Sequence, residues 1–259
     1  MSRLPFSRLL ALAGRQLLRD ARAGELHTLF AALLIAVAAS TAIGYFSARL
    51  NDGMLLRASE FLGADLQIKG SSAASSEQLD AGTALGLESA QVVEFASVIA
   101  SDTGIQLASV KAADTAYPLR GQLRSAATAY GPEQPGDGPH AGEAWVEVRL
   151  LNALNLEVGD NLEVGRKRLR ISRVLTYEPD RAGDFYSLAP HLLMHLHDLA
   201  ATDIVQPGSR VTYRLLWRGE AAALARYREA VTPGLQAQQK LEDARAGNAQ
   251  IGNAQGRAE

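Results

Sequence analysis

Between Thr28 and Phe46 the sequence reads TLFAALLIAVAASTAIGYF, nineteen residues with no ionisable side chain except the Tyr45 phenol. At 1.5 Å per residue a helix of that length spans about 28 Å, close to the ~30 Å hydrocarbon core of a bilayer. A helix in the core of a soluble protein usually carries a polar stripe. Here only Ser40 and Thr41 interrupt the apolar surface, and nothing else in the chain is apolar enough to enclose such a segment. The run is therefore predicted to cross a membrane once. Its small residues, Ala38, Ala39, Ser40, Ala42 and Gly44, would let another membrane helix approach closely.

The flanks set an orientation. Residues 1–25 hold Arg3, Arg8, Arg15, Arg19 and Arg22 against Asp20 and Glu25, a net +3, whereas Arg49, Asp52 and Arg57 make a weaker flank on the other side. Positive charge stays inside, so the N-terminus is expected in the cytoplasm of an inner (plasma) membrane and the main domain outside it. A cleaved signal peptide would have a shorter apolar core and a shorter basic region. Arg8, Arg15, Arg19 and Arg22 share one helical face and Leu10, Ala13, Leu17 and Ala21 another. Residues 1–25 are thus expected as an amphipathic basic helix, either lying at the headgroup level with its arginines toward membrane lipid or standing as a solvated juxtamembrane helix. The expected organisation is 1–25 cytoplasmic helix, 26–46 transmembrane helix, 47–234 extracytoplasmic α+β domain, and 235–259 a returning helix.

Helical spacing continues through residues 47–62 to Gly63, a common helix stop. Ala64–Lys69 alternates as a half-buried strand does, and Gly70–Glu77 reads as a surface loop. Strand-like runs follow at 91–100, 104–112, 119–124 and 144–148. Gly131–Gly142 carries too many glycines and prolines for a regular element and reads as a long loop or hinge. From Trp145 to Leu175 the pattern is strand, short helix, then a hairpin, with Gly159 and Gly165 suited to tight turns; this predicts a small hairpin subdomain. His191–Thr202 reads as helix, Gly208–Trp217 as strand, Glu220–Val231 as helix, and Leu235–Ala246 as helix.

Chemistry is sparsely signalled. The chain has no cysteine, which excludes disulfides and thiol chemistry, and its net charge of −2 gives no pull toward nucleic acid. Nucleotide-binding, G-x-S-x-G, HExxH and calcium-loop motifs are all missing from the sequence. His191 and His195, four apart on the expected helix, have chelating spacing and could hold zinc with Asp184 or Asp198, but no further ligand motif supports them; surface histidines are the simpler reading. Arg166, Lys167, Arg168, Arg170 and Arg173 could hold phosphate or a lipid headgroup, yet alternation turns most of them to solvent. Glu178-Pro-Asp-Arg181 with Asp184 could form a catalytic carboxylate cluster; a charged surface turn is the simpler expectation. The expectation is therefore no catalytic, cofactor or metal site.

Four segments carry a resemblance: Arg19–Leu26 (RDARAGEL), Leu62–Leu66 (LGADL), Val110–Gly121 (VKAADTAYPLRG) and Glu178–Arg181 (EPDR). In this order, around a V-G-D-x-L-x-V-G hairpin, they resemble ABC-transporter permeases of the MacB/FtsX-like class, most like YbbP-type permeases. The resemblance implies a MacB-like periplasmic core domain between a first and a second membrane helix. It implies a separate ABC ATPase subunit, and further permease helices or a second permease copy as neighbours. It also implies ATP-driven export or release of a lipophilic or peptide substrate. Such permeases continue into further membrane spans, so the chain is expected to be a fragment or a truncated product. A membrane-tethered sensory or interaction domain is the first alternative, ahead of a signal-anchored periplasmic hydrolase, because a binding role needs only surface.

Overall fold

The computed structural model describes residues 25–181, 189–206 and 208–244. The expected amphipathic helix therefore lies outside the described residues, apart from Glu25, as do Asp184 and everything beyond Ala244. Backbone contacts divide the chain into two compact units, Met1–Gly53 and Met54–Glu259.

The first described element is α1, Glu25–Leu62, a single unbroken helix. Its apolar stretch has a mean hydropathy of 2.1 and none of it is buried within the chain; this is one helix long and apolar enough to cross a membrane. The Thr41 hydroxyl donates to the Val37 carbonyl one turn back, 2.8 Å away, so it needs no external partner in an apolar setting. The 16 residues beyond Phe46 extend the same helix, as the spacing predicted.

The larger unit is built on one mixed sheet. In chain order its strands are β1 Leu66–Gly70, β2 Glu88–Ser101, β3 Gly104–Ala113, β4 Leu123–Ala126, β5 Gln134–Gly136, β6 Glu143–Val146, β7 Asn161–Val164, β8 Lys167–Tyr177, β9 His191–His195, β10 Val211–Arg218 and β11 Gln239–Asp243. Across the sheet they run β11-β1-β10-β2-β3-β9-β6-β8-β4-β5, and β7 pairs with both β2 and β8. That double pairing closes β2, β3, β9, β6, β8 and β7 into a ring. Inside it sit Phe95, Ile99, Val110, Leu162, Val164, Leu169, Ile171, Leu192 and Met194. A short helix, α3 (Val148–Leu154), adds Leu150, Leu151 and Leu154 to the same core. Each such side chain contributes about 1.5–3 kcal/mol when fully buried.

Beyond the ring, the sheet arm β10-β1-β11 is covered on one face by α2 (Ser76–Ala84) and α5 (Ala221–Val231), around Trp217 and Tyr227. Sequence periodicity did not reveal α2. Its signal is local: Ser75 accepts from the Gln78 N–H while the Gln78 side chain accepts from the Ser75 N–H, a capping box. The opposite face of the arm carries a third apolar cluster, including Val92, Ala113, Tyr117, Trp145, Leu193 and Leu216.

Several expectations are corrected. His191–Thr202 is not one helix: His191–His195 is strand β9, followed by a 3-10 turn at Leu196–Asp198 and a helical turn, α4, at Leu199–Thr202. Sandwiched between β3 and β6, the strand buries three consecutive apolar residues, Leu192, Leu193 and Met194, and such a run has no periodicity to separate it from helix. The returning helix Leu235–Ala246 is corrected as well. Its Gln239–Asp243 forms edge strand β11 paired antiparallel to β1; tertiary pairing overrides the helix preference of Gln-Lys-Leu-Glu. The sheet domain consequently runs past residue 234 to at least Asp243. The Gly131–Gly142 loop contains β5, paired with β4. The strand, helix and hairpin expected over Trp145–Leu175 are present, but β6, β7 and β8 are members of the common sheet and form no separate subdomain.

Candidate functional site

Alternation along the strands decides which side chains meet. On β3, Ala108, Val110 and Ala112 point into the ring, which sends Ser109 and Lys111 to the other face. Glu94 of β2 stands directly opposite Lys111. On β10, Arg214 shares that face, beside Lys69 of β1 in register. On β9, Leu192 and Met194 go inward and His191, paired with Ser109, goes outward. The same alternation that fills the ring with hydrocarbon therefore collects charge on its flank.

The 3-10 turn Pro179–Arg181 closes over these strands. Lys111 Nζ lies 2.8 Å from Glu178 Oε1, 2.9 Å from Asp180 Oδ1 and 3.4 Å from Glu94 Oε1. Arg214 Nη1 bridges Glu94 Oε1 at 2.8 Å and Asp180 Oδ2 at 2.5 Å. Its Nε donates to Gln67 Oε1 at 2.7 Å, and its Nη2 to the Leu62 carbonyl at 2.9 Å. The Tyr117 hydroxyl accepts from Lys111 at 3.1 Å and lies 2.7 Å from Glu178 Oε1 and 2.5 Å from Asp180 Oδ1, so it donates to one carboxylate at a time. His191 Nε2 is 3.0 Å from Glu178 Oε2. Arg181 pairs with Glu147, whose other oxygen accepts the His191 backbone N–H.

Nearly all of this is buried: Lys111 is 3% exposed, Glu178 4%, Arg214 7% and His191 2%. Burial alone would push the Lys111 ammonium toward neutrality, but Asp180, Glu178 and Glu94 together hold its pKa above the ordinary lysine value. Burial would likewise raise the Glu178 carboxyl; Lys111 and His191 overcome it and hold it well below the usual range. Glu94 is lowered too, its burial outweighed by Lys111 and Arg214. Burial and the neighbouring Asp180 and Glu178 charges push the Tyr117 phenol well above 10. Glu94, Lys111, Glu178 and Arg214 are thus each shifted toward their charged forms by one another and by their neighbours. A buried ion set of this kind is costly to desolvate, and removing any one partner is more costly still.

Two glycines shape the contact with this turn, Gly121 by leaving room for it and Gly63 by its positive φ. Gly63, which ends α1 at φ +70°, lies against the Asp180 side chain; a Cβ there would sit 3.4 Å from Asp180 Cβ. Gly121, at φ +80°, faces the Pro179 ring, and its Cβ would fall 2.7 Å from Pro179 Cβ. Asp65 then anchors the segment leaving α1. Its carboxylate takes a two-point bond from Arg120, with Nε to Oδ1 at 2.9 Å and Nη2 to Oδ2 at 2.7 Å, while the Gly63 carbonyl accepts the Arg120 backbone N–H. Three of the four segments quoted above, LGADL, VKAADTAYPLRG and EPDR, thus converge at the last turn of α1. The fourth lies almost wholly outside the described residues.

The Glu178–Arg181 segment is no solvated turn; its carboxylates are the buried partners of Lys111 and Arg214. Lys111, Arg214, Glu94 and Tyr117 were not singled out in the sequence. The signal was a charged residue at a position whose strand neighbours are apolar. His191 and His195 lie four residues apart on a strand, roughly 13 Å, too far to chelate one ion. Asp198 is occupied by Lys167 Nζ at 2.9 Å and the Gly142 N–H at 2.6 Å. Among the described residues no group of three metal-ligating side chains occurs. The basic run on β8 is a solvated face: Arg166 and Arg168 are exposed, and Arg168 pairs with Glu163 at 3.2 Å.

No family model matches the sequence. The chain is similar to the uncharacterized ABC transporter permease YbbP of Escherichia coli (strain K12), with 34% identity over 222 residues, 86% of this chain and 27% of that protein. It therefore spans about a quarter of that relative's length. Among solved structures, the periplasmic region of MacB from Actinobacillus actinomycetemcomitans is similar at 9% identity and a TM-score of 0.48, covering 74% of this chain and 95% of that one. The extracellular domain of the noncanonic ABC-type transporter YknZ from Gram-positive bacteria is similar at 9% identity and a TM-score of 0.42, covering 68% of this chain and 100% of that one. The chain is a relative of the YbbP-type ABC transporter permeases over the residues that the two share.

Proposed function

We propose that this YbbP relative is the N-terminal part of an ABC-type permease in the inner membrane. Its N-terminus lies in the cytoplasm and its sheet domain outside. A separate ATPase subunit drives it, and the sheet domain carries that motion to export or release of a lipophilic or peptide substrate. The small face Ala38, Ala39, Ala42 and Gly44 packs against other permease helices or a second permease copy. The chain is not an enzyme: in its polar cluster Glu94, Lys111, Glu178 and Arg214 are engaged with one another and shifted toward their charged forms.

One observation carries this reading. The last turn of α1 is hydrogen-bonded into the buried ionic cluster through Leu62 and Arg214, so a displacement of the helix end must move the sheet. The chain also leaves the sheet where it came in: β11 pairs with β1, and the Ala244 N–H donates to the Asp65 carbonyl. The last described residue thus lies beside the segment that leaves α1, which suits paired levers moving as a unit.

The test is affinity purification of the protein from its complete gene, expressed with the genes around it. Stoichiometric recovery of an ATPase subunit is expected; a protein purified without one would overturn the reading. For orientation, a reporter active only outside the cytoplasm, fused after Glu259, should be active. Activity of a cytoplasm-only reporter at that point would reverse the topology.

A further inference from the structure

The hairpin of β2 and β3 breaks the alternation that shapes the rest of the sheet. Its inward positions are taken: Ile99, Ala108 and Val110 belong to the ring core, together with Leu150, Leu151 and Leu154 of α3. At the base of the hairpin the outward positions carry charge, with Glu94 opposite Lys111. Towards the tip they carry hydrocarbon instead. Val98 stands opposite Leu107, and Ala100 opposite Ile105. Val98 is 50% exposed, Leu107 54% and Ile105 74%, and none of the three belongs to an apolar cluster of the described residues. The solvated face of an antiparallel pair is expected to be polar, so large apolar side chains grouped on it mark a contact surface.

The backbone beside them is open as well. β9 pairs with β3 only from Ser109 to Ala113, where the Ser109 N–H donates to the Pro190 carbonyl at 2.9 Å. Backbone groups alternate in direction along a strand, so those of Leu107 and Ile105 point to the same edge. Two residues earlier, the same parallel register would have the N–H of residue 190 donate to the Leu107 carbonyl. Residue 190 is proline and has no N–H, so the pairing stops. The Gln106 side chain donates to the Leu107 carbonyl instead, at 3.0 Å. The Leu107 N–H and both backbone groups of Ile105 have no partner among the described residues.

We infer that this edge takes up an added strand: an extended segment of a partner polypeptide, apolar at alternate residues, pairs with the backbone of Ile105 and Leu107 and lays its side chains along theirs. Free N–H and C=O groups on a strand edge are a template for another backbone, and an acyl chain could satisfy none of the N–H groups. The open stretch is residues 104–108, about 17 Å of strand. Over the roughly 10 Å width of two strands, the patch offers on the order of 170 Å². A stable protein–protein interface needs about 800 Å² from each partner, so the patch suits a single segment and is too small to hold a second copy of this chain. On the topology proposed above the partner is extracytoplasmic, but the pairing itself does not rest on the permease reading.

The experiment uses the full chain in lipid nanodiscs. The probe is an acetylated and amidated peptide of alternating valine and threonine with a lysine at each end. Two further probes are N-methylated at every valine or at every threonine. Saturable binding of the parent peptide is expected by fluorescence anisotropy, with the Ile105 and Leu107 amides becoming protected from hydrogen exchange. Only one edge of a paired strand faces the protein, so one N-methylated probe should bind at least about tenfold weaker than the parent and the other should bind nearly as well. Ile105→Lys should weaken the parent peptide about tenfold and leave the melting temperature unchanged, as a surface substitution does. Absence of saturable binding would overturn the inference, as would equal affinity of all three probes, protection confined to other amides, or binding that Ile105→Lys leaves intact. Two other occupants would also overturn it. One is shown if the Ile105 and Leu107 amides are protected in the free chain and lose that protection when residues 182–188 are replaced by glycine and serine. The other is shown by a concentration-dependent dimer that Ile105→Lys abolishes.

Discussion

The two ends of α1 sit in opposite worlds. Along its membrane run, Leu29, Phe30, Leu33, Leu34 and Ile35 are between 61% and 70% exposed. At its last turn, Leu62 is bonded to an arginine that is itself 7% exposed, within a set of buried lysine and carboxylate charges. One helix thus displays its hydrocarbon and tucks its end among charges. Each half makes sense only for a different solvent. Exposed leucines need lipid or other membrane helices, whereas a buried charge set needs every partner supplied from within the same unit. The membrane run should therefore be sensitive to its surroundings and the sheet to its own composition.

The largest effect should come from breaking the charged half. Lys111→Met leaves Glu178, Asp180 and Glu94 without their shared cation, and should cost about 3–5 kcal/mol of unfolding free energy in urea denaturation. Adding Glu178→Gln should recover part of the loss, because fewer uncompensated charges remain. A cost below about 1 kcal/mol for Lys111→Met would mean that the cluster is effectively solvated. In the apolar half, Val37→Asp places a carboxylate near the middle of the run and should cost about 2.5–3.5 kcal/mol of insertion. The readout is the fraction of chains protected from an added protease; unchanged protection would remove the run's assignment as a membrane segment.

The two halves were also unequally legible. The membrane run can be read residue by residue, because the hydrophobic requirement is local and a bilayer imposes it along nineteen consecutive positions. The hairpin β7–β8 and helix α5 were legible for the same reason: turn glycines and period speak locally. The charged cluster was not. Glu94, Lys111 and Arg214 sit on three strands far apart in sequence, and only the sheet order brings them together. On β10, alternation placed Arg214 on the polar face, and nothing local revealed that the Pro179–Arg181 turn covers that face. Glu178 and Asp180 read as a solvated turn because a pair of acids beside a proline usually is one. β9 failed differently: His191 and His195 have helical chelating spacing, and pairing on both sides overrode it. The motif segments gave the best long-range clue, since Asp65, Arg120, Tyr117 and Asp180 all belong to them.

A milder way to probe the charged half is acid. Glu178 and Glu94 have pKa values below the ordinary glutamate range when folded, held there by Lys111, Arg214 and His191 against their burial. Their stabilisation is therefore present above the ordinary value of about 4.3 and is lost as pH falls through their folded values. Lys111 lies above the ordinary lysine value of about 10.4 when folded. Its share is present below that value and is lost only as pH rises through its folded one. The urea midpoint should be flat from about pH 6 to 9 and fall progressively below about pH 4. Glu178→Gln should blunt the acid loss. A steep loss between pH 5 and 7 would place the sensitive group elsewhere.

The smallest expected change in stability sharpens the comparison most. Ala42 lies on the small face of the membrane run, none of which is buried among the described residues. Ala42→Phe adds a ring where a neighbouring helix would approach. Within this chain nothing has to move, so the urea midpoint of the sheet domain should stay within about 0.5 kcal/mol of the parent, as for a surface substitution. In the assembled permease the same ring should separate α1 from its partner helix, because small residues permit the close approach on which membrane helix packing depends. Transport, or ATPase activity coupled to it, should then fall while the sheet domain remains folded. A drop in the urea midpoint would show that α1 is packed on its own sheet domain. Unchanged coupling in the intact assembly would show that this face meets lipid alone, and the lever would have to act through another face of the helix.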